Sequence, residues 1–301
     1  MEKQIFWIAS FPKSGNTLMR AIIASLFFTK DGSFKFDLLK HIPQFEKTEL
    51  VYKNKKIFGN DFDKINSPPV FYKYIRNLQN DKSLGILNQD FIFLKTHSGL
   101  FNVGGHSFTS ISKTKGIIYI VRDPRDVCLS WSRHYNISVD RSIENIQSDI
   151  LNSNWVEPKE KKFFNLNLGP KSFISSWDKH IYSWTSNKWE VPIKIIRYED
   201  LVYNKKKILI EIIDFFKKNF NYQIQKTEKK IDGILISTDF NKFKREEKRR
   251  GFIEATGKNS FFSVGEKDQW RKKLTKKQLE KIEKKFGKIM KKFNYKLAVE
   301  F

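Results

Sequence analysis

The segment FPKSGNT, residues 11–17, has the residue types of a phosphate-binding loop between an apolar run and a helical pattern. Small residues let backbone N–H groups approach phosphate oxygens, and the amino terminus of a following helix adds positive potential. Lys13 supplies a cation. Because Lys13 precedes Gly15, the order differs from the nucleoside-triphosphate loop G-x-x-x-x-G-K-[ST]. The segment therefore predicts a phosphate site unlike that of an ordinary ATPase.

Three further polar clusters each follow an apolar run. They are KTH at 95–97, VRDPRDV at 121–127 together with Ser130, and YEDL at 198–201. In open α/β sheets ligands bind outside the carboxyl ends of the strands. We therefore expect these clusters and the 11–17 loop to converge on one crevice.

With these motifs the chain resembles the cytosolic-type, PAPS-dependent sulfotransferase family over most of its length; PAPS is 3′-phosphoadenylyl sulfate. PKSGNT is similar to the family's 5′-phosphosulfate loop, KTH to its catalytic-histidine strand, and VRDPRDVCLS to its 3′-phosphate-binding strand and helix. HIPQFE, residues 41–46, resembles a segment that helps to line the acceptor pocket, and Thr238-Asp239-Phe240 resembles a T-x-F element beside the adenine.

The resemblance implies a P-loop-like sulfotransferase architecture and a reaction. A sulfuryl group would pass from PAPS to a hydroxyl or amine of a small-molecule or glycan acceptor, leaving adenosine 3′,5′-bisphosphate (PAP) as product. His97 is the implied general base, because a histidine pKa near neutrality suits removal of the acceptor proton. Lys13 is implied to stabilise the leaving phosphate, and Lys95 to supply a second catalytic cation.

The same resemblance implies a set of cofactor-binding residues. They are Lys13, Ser14, Gly15, Asn16, Thr17, Arg122, Ser130, Tyr198, Thr238, Phe240, Lys258 and Gly265. We expect no metal, because the lysines and Arg122 can meet the charge that magnesium neutralises in kinases. Arg125 and Asp126 are predicted to be loop and helix-start residues, and the acidic pair at 199–200 to cap or brace the following turn.

One motif departs from the family pattern. Residues 265–270 resemble part of the signature R-x-G-x-x-G-x-W, with Ser263 at the arginine and Asp268 at the second glycine. The family arginine binds the 3′-phosphate, and guanidinium–phosphate contacts are strong. We expect another basic residue to replace it, with four candidates: Lys258, Lys267, Arg249 and Arg250. Leu18 stands where many members have a tryptophan near the adenine.

The elements that must position these groups follow from hydrophobic periodicity. Strands are predicted within the run 4–10, with about five residues, and at 91–95, 116–121 and 191–198. Helices are predicted at 17–28, 124–136, 172–188, 204–219, about 225–235 and 275–292. Strand and helix alternate up to residue 200, which predicts an α/β fold with a mainly parallel central sheet flanked by helices and a helical carboxyl-terminal part. Thr275 and Gln278 form a capping-box pattern. The charge-dense stretch 241–260 predicts a mobile loop or lid. We expect residues 1–301 to form a single domain.

Composition narrows the class of protein. The chain has 301 residues, 40% of them hydrophobic, which is enough for a sizeable core. No apolar run approaches the roughly 20 residues of a membrane helix, and the run at 5–9 is too short for a signal peptide, so we expect a cytoplasmic protein without a membrane span. The single cysteine, Cys128, excludes an intramolecular disulfide.

The net charge leaves other functions open. A charge of +24 indicates a polyanionic partner or a compositional bias on solvated faces. A nucleic-acid-binding protein would use this charge, and we rank it behind an enzyme. An ATP-dependent phosphotransferase is disfavoured by the order of Lys13 and Gly15. A catalytically inactive PAP-binding protein stays open because Ser263 interrupts a cofactor motif. The fold does not fix the acceptor, and the oligomeric state is open.

Overall fold

The computed structural model describes residues 3–81, 84, 91–154, 171–186, 190–252, 254–255 and 260–299. Its strands are β1 (Gln4–Ser10), β2 (Phe91–Thr96), β3 (Asn102–Val103), β4 (His106–Ser107), β5 (Thr114–Val121), β6 (Asn152–Asn154), β7 (Lys171–Phe173) and β8 (Ile193–Arg197). In the spatial order β2, β1, β5, β8, four of them form one sheet whose neighbouring pairs are all parallel. The others form two short antiparallel pairs, β3 with β4 and β6 with β7. The predicted parallel central sheet is confirmed.

Helices make up most of the remaining described chain. They are α1 (Asn16–Phe28), α2 (Thr48–Lys53), α3 (Pro68–Leu78), α4 (Pro124–Tyr135), α5 (Val139–Gln147), α6 (Trp177–Thr185), α7 (Tyr198–Tyr203), α8 (Lys205–Phe220), α9 (Glu228–Ser237), α10 (Phe240–Arg250), α11 (Trp270–Lys273) and α12 (Lys276–Lys292). Short 3₁₀ helices span Phe36–His41, Lys55–Ile57 and Gly59–Lys64. Among the described residues, no helix is both long and apolar enough to cross a membrane.

The central strands are apolar along nearly their whole length because both faces of the sheet are covered. Alternate residues of a strand point to opposite faces. In β1, Ile5 and Trp7 enter one core, and Phe6 and Ile8 enter the other. All four side chains are fully buried. A parallel sheet buried on both faces therefore accounts for the unbroken apolar runs in the sequence.

A layer of helices lies on each face of the sheet. Residues of α4, α5, α6 and α12 enter the core around Trp7, and residues of α1, α8 and α9 enter the core around Phe6. In α12 the predicted capping box is present: the Thr275 hydroxyl accepts from the Gln278 N–H at 3.3 Å, and the Gln278 side chain accepts from the Thr275 N–H at 3.1 Å. This arrangement of helices around the sheet is the α/β architecture that the sequence predicts.

One predicted helix is shorter than expected. In the described part of the predicted helix 172–188, the helix covers Trp177–Thr185, and residues 187–188 lie outside the described residues. Residues 171–173 instead form β7, because their backbone groups pair with β6. Trp177 and Trp184 of this helix are buried in the core.

The prediction of a mobile loop over 241–260 is wrong for its first half, where α10 forms. The Asp239 carboxylate caps this helix by accepting from two backbone N–H groups of its first turn. Its buried residues are Phe243 and Glu247, so a count of apolar residues does not show the helical period. The Glu247 carboxylate is itself used, accepting from the backbone N–H of Phe262 at 2.9 Å. A buried, hydrogen-bonded carboxylate thus takes the place of an apolar side chain on the inner face.

Candidate active site

A cavity of about 310 Å³ lies at the carboxyl ends of the four central strands, where open α/β sheets bind ligands. Twelve of the predicted site residues line it: Lys13, Gly15, Asn16, Thr17, Lys95, His97, Arg122, Ser130, Tyr198, Thr238, Phe240 and Gly265. Ser14 is fully buried and is not part of the lining, and Lys258 lies outside the described residues. The structure thus brings the four polar clusters of the sequence together at one crevice.

The loop between β1 and α1 depends on one glycine. Gly15 has φ 96°, in the left-handed region that glycine adopts freely. A Cβ at this position would lie 2.4 Å from the Tyr198 ring, a distance that real Cβ atoms do not reach. Lys13 also has a positive φ, 66°. The loop therefore approaches Tyr198 by its bare backbone.

The Asn16 side chain connects the loop to β1. The Asn16 amide donates to the Ile8 carbonyl at 3.1 Å and to the Ser10 hydroxyl at 3.2 Å, which fixes the start of α1 to the end of β1. Within the described chain, no side chain caps the amino terminus of α1. Its first backbone N–H groups are thus available to an anion in the cavity.

Lys13 is held in an unusual environment for a lysine. Its ammonium lies 4.2 Å from the centroid of the Phe261 ring. Burial lowers the pKa of Lys13 to about 7, although Glu254 opposes the shift. A dianionic ligand would restore the proton, so this lysine favours an anion in its pocket.

His97 follows β2 and is 5% exposed. Its Nδ1 lies 2.8 Å from the Ser10 carbonyl oxygen, which only accepts, so Nδ1 carries the proton and donates. Nε2 is therefore the basic nitrogen of the neutral ring. Burial, and then the charge of Lys95, hold the pKa of His97 well below its ordinary value. The ring is neutral at physiological pH, which is the protonation state of a general base.

The backbone at His97 is fixed by a second histidine. His180 Nε2 donates to the His97 carbonyl at 3.1 Å, and His180 Nδ1 accepts from the Tyr119 hydroxyl at 2.8 Å. Burial lowers the pKa of His180 to about 3, so this ring stays neutral and keeps both bonds. His180 was not singled out by the sequence, because it lies in the middle of α6, far from the motifs.

Glu254 brings a carboxylate into the centre of the site. It pairs with Arg20 Nη1 at 2.5 Å and with Lys95 Nζ at 3.1 Å, and it accepts from the Thr17 hydroxyl at 3.1 Å. These cations hold the pKa of Glu254 well below its ordinary value, against the opposing effect of burial. Burial also lowers the pKa of Lys95 to about 8. Thr17 is predicted to contact phosphate, but in this structure its hydroxyl donates a hydrogen bond to Glu254.

Arg122 links the 11–17 loop to the distant segment that carries Gly265. Its guanidinium donates to the carbonyls of Lys13 at 3.0 Å and Glu266 at 3.3 Å, and lies 4.2 Å from the Tyr198 ring centroid. The Tyr198 hydroxyl donates to the Gly265 carbonyl at 3.2 Å. These contacts assemble the cavity wall from four separate parts of the chain.

Two buried polar atoms near this wall fit an anionic ligand. Arg122 Nε and Ser14 Oγ have no hydrogen-bond partner among the described residues. Leaving such a group unsatisfied costs about 1–3 kcal/mol. The lining also has an excess of cations over its acidic groups Asp239 and Glu254; the cations are Lys13, Lys47, Lys95, Arg122, Arg133 and Lys205. The cavity is therefore built for a polyanion.

Arg125 and Asp126 have structural positions, as the sequence predicts. Arg125 is buried, pairs with Asp123 and Glu283 at 2.6 and 2.7 Å, and stacks on the Trp270 ring at 3.6 Å. The Asp126 carboxylate accepts from the backbone N–H of Trp270 at 3.1 Å. These residues hold the carboxyl-terminal helices against α4 and do not line the cavity.

Of the acidic pair at 199–200, Asp200 accepts from the Asn204 side-chain amide at 3.4 Å, in the turn that follows, as the sequence predicts, whereas Glu199 acts differently. Glu199 accepts from the backbone N–H of Asp123 at 3.2 Å and from the Tyr295 hydroxyl at 2.9 Å. Glu199 therefore braces the turn before α4, which is near it in space, more than the turn that follows Glu199 in sequence.

Three of the four proposed substitutes for the arginine replaced by Ser263 are among the described residues, and none of these three lines the cavity. Arg249 and Arg250 are exposed on α10 and pair with Glu246. The Lys267 ammonium lies over the Tyr203 ring, 4.5 Å from its centroid, in a separate surface groove. Ser263 itself does line the cavity. The prediction is therefore wrong for these three residues, because Arg249 and Arg250 are exposed at the end of α10 and Lys267 lies against Tyr203.

A different cation lies on the cavity wall. Arg133, one helical turn after Ser130 on α4, lines the cavity beside His134. Burial, followed by the charge of Arg122, lowers the pKa of Arg133, which indicates two guanidinium groups facing the same space. The spacing of Ser130 and Arg133 on one helix face could have identified it.

The second departure from the signature has a local explanation. Asp268 has φ 58°, a left-handed conformation that suits the glycine of the family pattern. Aspartate is one of the residues that adopts this conformation most readily. The backbone N–H of Asp268 donates to the Asp126 carboxylate at 2.7 Å, so the turn is kept.

Comparison with known proteins finds similarity along most of the chain. A family model described as a sulfotransferase domain matches residues 3–294. The luciferin sulfotransferase of Photinus pyralis is 24% identical over 242 residues, which cover 79% of this chain and 56% of that protein. The amine sulfotransferase of Oryctolagus cuniculus is 23% identical over 306 residues, which cover 96% of this chain and 82% of that protein.

A solved structure has the same fold. Mouse sulfotransferase SULT7A1, in its crystal structure with PAP, aligns with a TM-score of 0.57 at 20% identity, covering 96% of this chain and 84% of that one. At this identity the likeness shows the fold. The chain spans little more than half of the length of the Photinus protein.

Proposed function

This chain belongs to the sulfotransferase family, and on that premise we propose that it transfers the sulfuryl group of PAPS to a hydroxyl or amine of a small molecule. The observation that carries the proposal is a cavity in which a phosphate loop, an excess of cations and a neutral histidine meet at the ends of the central strands. The relatives are named for luciferin and amine acceptors, which supports a small molecule over a glycan.

The 5′ end of the donor would bind at the loop and the start of α1. Backbone N–H groups of Gly15, Asn16 and Thr17 would face the 5′-phosphate, with Ser14 Oγ as a further donor. The Lys13 ammonium would stabilise the charge that develops on the bridging oxygen as it leaves. Burial lowers the pKa of Lys13 to about 7 in the free protein, and a bound anion would raise it again, so the lysine would be charged with the donor present.

The 3′-phosphate would bind Arg122 and Ser130, as the family motif implies. The family has an additional arginine that binds the 3′-phosphate, and Ser263 stands at that position here. We assign the compensating charge to Arg133, which lines the same cavity. Guanidinium groups form strong charge-assisted bonds with phosphate, so Arg122 and Arg133 together can restore the lost affinity.

The adenine would lie among Tyr198, Phe240 and Leu18. The hydroxyl of Thr238 donates to the Ile234 carbonyl at 2.7 Å, so this residue shapes the wall through its backbone position. Gly265 allows the Phe240 ring to approach, since a Cβ there would lie 2.5 Å from the ring. An aromatic wall of this kind suits a purine. Leu18 supplies no aromatic ring where many family members have a tryptophan.

The chemical step would require one proton transfer and one displacement. His97 Nε2 would take the proton of the acceptor hydroxyl as its oxygen bonds to sulfur. The bond between sulfur and the bridging oxygen would break, and its electrons would stay on the 5′-phosphate of PAP beside Lys13. Lys95, at the end of the same strand as His97, would neutralise the sulfuryl oxygens.

The acceptor would enter beside the segment that resembles the family's acceptor wall. Residues 43–45 pair with β2 through backbone bonds between Phe45 and Lys95 and between Lys95 and Pro43, both 2.9 Å. This pairing puts Gln44 and Lys47 on the cavity beside His97. The position supports a reaction at His97 with an acceptor held along this edge.

Labelled PAPS tests the proposal directly. The enzyme is incubated with [³⁵S]PAPS and a phenol, an aliphatic alcohol or a primary amine, and labelled product is separated from donor. We expect turnover with at least one acceptor, and a kcat about 10²- to 10⁴-fold lower for His97→Gln with PAP affinity unchanged. Equal turnover by His97→Gln would remove the base from this account. Failure of every acceptor together with intact PAP binding would favour an inactive PAP-binding protein.

A further inference from the structure

Glu254 occupies the place where the proposed function requires an anion from the donor. Its carboxylate contacts Lys95 Nζ and the Thr17 hydroxyl, both at 3.1 Å, and pairs with Arg20. Thr17 lies in the first turn of α1, where the 5′-phosphate would bind, and Lys95 is the proposed partner of the sulfuryl oxygens. A side chain of this protein thus uses the donors that the phosphosulfate group needs.

The carboxylate and the donor cannot share this position. Both are anionic, and like charges within a few ångströms in a buried site repel strongly. The side chains of Arg20 and Lys95 are only 4% exposed, so solvent does little to screen them. Without a ligand these cations need a counter-ion, since buried unpaired charges are costly. Glu254 supplies that counter-ion at a distance of 234 residues along the chain from Arg20.

We propose that Glu254 is an internal competitor of the donor: its carboxylate fills the phosphosulfate position in the free enzyme and must leave Thr17 and Lys95 when PAPS or PAP binds. The inference rests on the proposed function, because it takes the anion to be the 5′ end of that donor. It sets the affinity for the donor from within the chain. The residue is not part of the chemical step, and it keeps the basic centre paired while no donor is present.

A purely structural role would have the opposite consequence. If Glu254 only held Arg20 and Lys95 in place for the donor, its removal would disorder the cations and weaken binding. If it competes, its removal destabilises the free enzyme and tightens binding. The two effects on one variant, a lower melting temperature and a lower Kd, distinguish the roles.

Glu254→Gln is the test variant, because glutamine keeps the shape and removes the charge. Glu246→Gln is its control, since Glu246 is a partly exposed carboxylate on α10, outside the cavity lining, whose loss changes the net charge equally. Binding of PAP and of adenosine 3′-phosphate is measured by calorimetry at about pH 6, below the pKa of Lys13, where the lysines are protonated in the folded chain. Adenosine 3′-phosphate lacks the 5′-phosphate that competes with the carboxylate.

We expect Glu254→Gln to bind PAP about tenfold more tightly than the unmodified protein, and adenosine 3′-phosphate equally. Glu246→Gln should match the unmodified protein for both ligands. Unchanged or weaker PAP binding by Glu254→Gln would overturn the inference, as would an equal gain for adenosine 3′-phosphate. If the unmodified protein bound no PAP, the proposed function would fail first, and the inference with it.

Glu254→Asp serves if the glutamine variant does not fold. The shorter side chain keeps the charge, but it cannot reach Arg20 and Thr17 together from the same backbone position. We expect a smaller gain in PAP affinity in the same direction, again confined to PAP. A loss of affinity, or no change, would contradict the competition.

Discussion

The Arg122 guanidinium donates to the Lys13 carbonyl at 3.0 Å, so the end of β5 holds the phosphate loop that follows β1. The two residues are 109 positions apart in the chain, and both line the cavity. One contact thereby couples the two proposed phosphate sites. A residue that binds the 3′-phosphate also sets the backbone that receives the 5′-phosphate.

Arg122→Lys should therefore cost more than one phosphate contact. Lysine keeps the charge but cannot donate to two carbonyls while stacking on Tyr198. We expect PAP affinity to fall about tenfold to a hundredfold. Calorimetry measures it, with Arg141→Lys as control, because Arg141 is an exposed residue paired with Glu144. Equal affinity of Arg122→Lys and the unmodified protein would show that charge alone matters at this position.

Gly15→Ala should distort the loop through contact as well as through φ. The new Cβ would lie 2.4 Å from the Tyr198 ring. Gly105→Ala is a matched control, because Gly105 has a similar φ, 84°, with nothing within 4 Å of the Cβ position. Thermal melting and PAP binding should both suffer more in Gly15→Ala. Equal losses in the two variants would mean that the Tyr198 contact has no effect.

PAP binding should take up protons in mildly alkaline solution. Burial lowers the pKa of Lys13 to about 7 and of Lys95 to about 8, and the ligand anion favours their charged forms. Affinity should accordingly fall as pH rises through these values. Calorimetry in two buffers of different ionisation enthalpy, at about pH 8.5, measures the uptake. No uptake there would contradict a role for these lysines in binding the anion.

The same two lysines affect the stability of the free protein with the opposite pH dependence. Their pKa is lower in the folded chain than in the unfolded one, so between about pH 7 and 10 the unfolded chain binds more protons. Their contribution to the free energy of unfolding therefore increases with pH over this range. Melting of the free protein checks the sign, with Lys13→Met expected to flatten the increase.

The buried ion pairs of Arg125 should matter for stability alone. Glu283→Ala leaves Arg125 with one carboxylate partner. It also removes the acceptor of two backbone hydrogen bonds, which the N–H groups of Ala298 and Val299 donate to Glu283 at 2.9 Å. Breaking such a buried pair costs about 3–5 kcal/mol. Denaturant unfolding should show that loss, while PAP affinity stays unchanged below the transition. A loss of affinity without a loss of stability would place Arg125 among the ligands. Glu144→Ala, in an exposed pair, should have little effect.

The features that were predictable from the sequence are those set by near neighbours in the chain. The strand β1 was predictable, because a strand covered on both faces must be apolar throughout, although at 7 residues it is longer than expected. The loop at Gly15 was predictable because a strand, small residues and a helix follow each other directly. Family resemblance then supplied roles for residues such as His97 that periodicity could not.

The features that were not predictable depend on distant parts of the chain. Glu254 lies in a charge-dense stretch, and nothing near it in sequence indicates that it meets Arg20 across the cavity. The helix α10 was missed because Glu247 occupies its buried face. Arg133 was missed as well, although its spacing from Ser130 was visible. The charges of a binding site thus follow from tertiary structure more than from local pattern.

Thermal melting with PAP tests the central claim most directly. The unmodified protein, Lys13→Ala and Arg122→Ala are heated alone and with PAP, ATP with magnesium, or a short oligonucleotide. A ligand at a hundredfold excess over its Kd adds about 2.7 kcal/mol to the free energy of unfolding, which raises Tm by several degrees. We predict that PAP alone raises Tm and that both substitutions remove the effect. A shift with ATP or oligonucleotide and none with PAP would contradict the account.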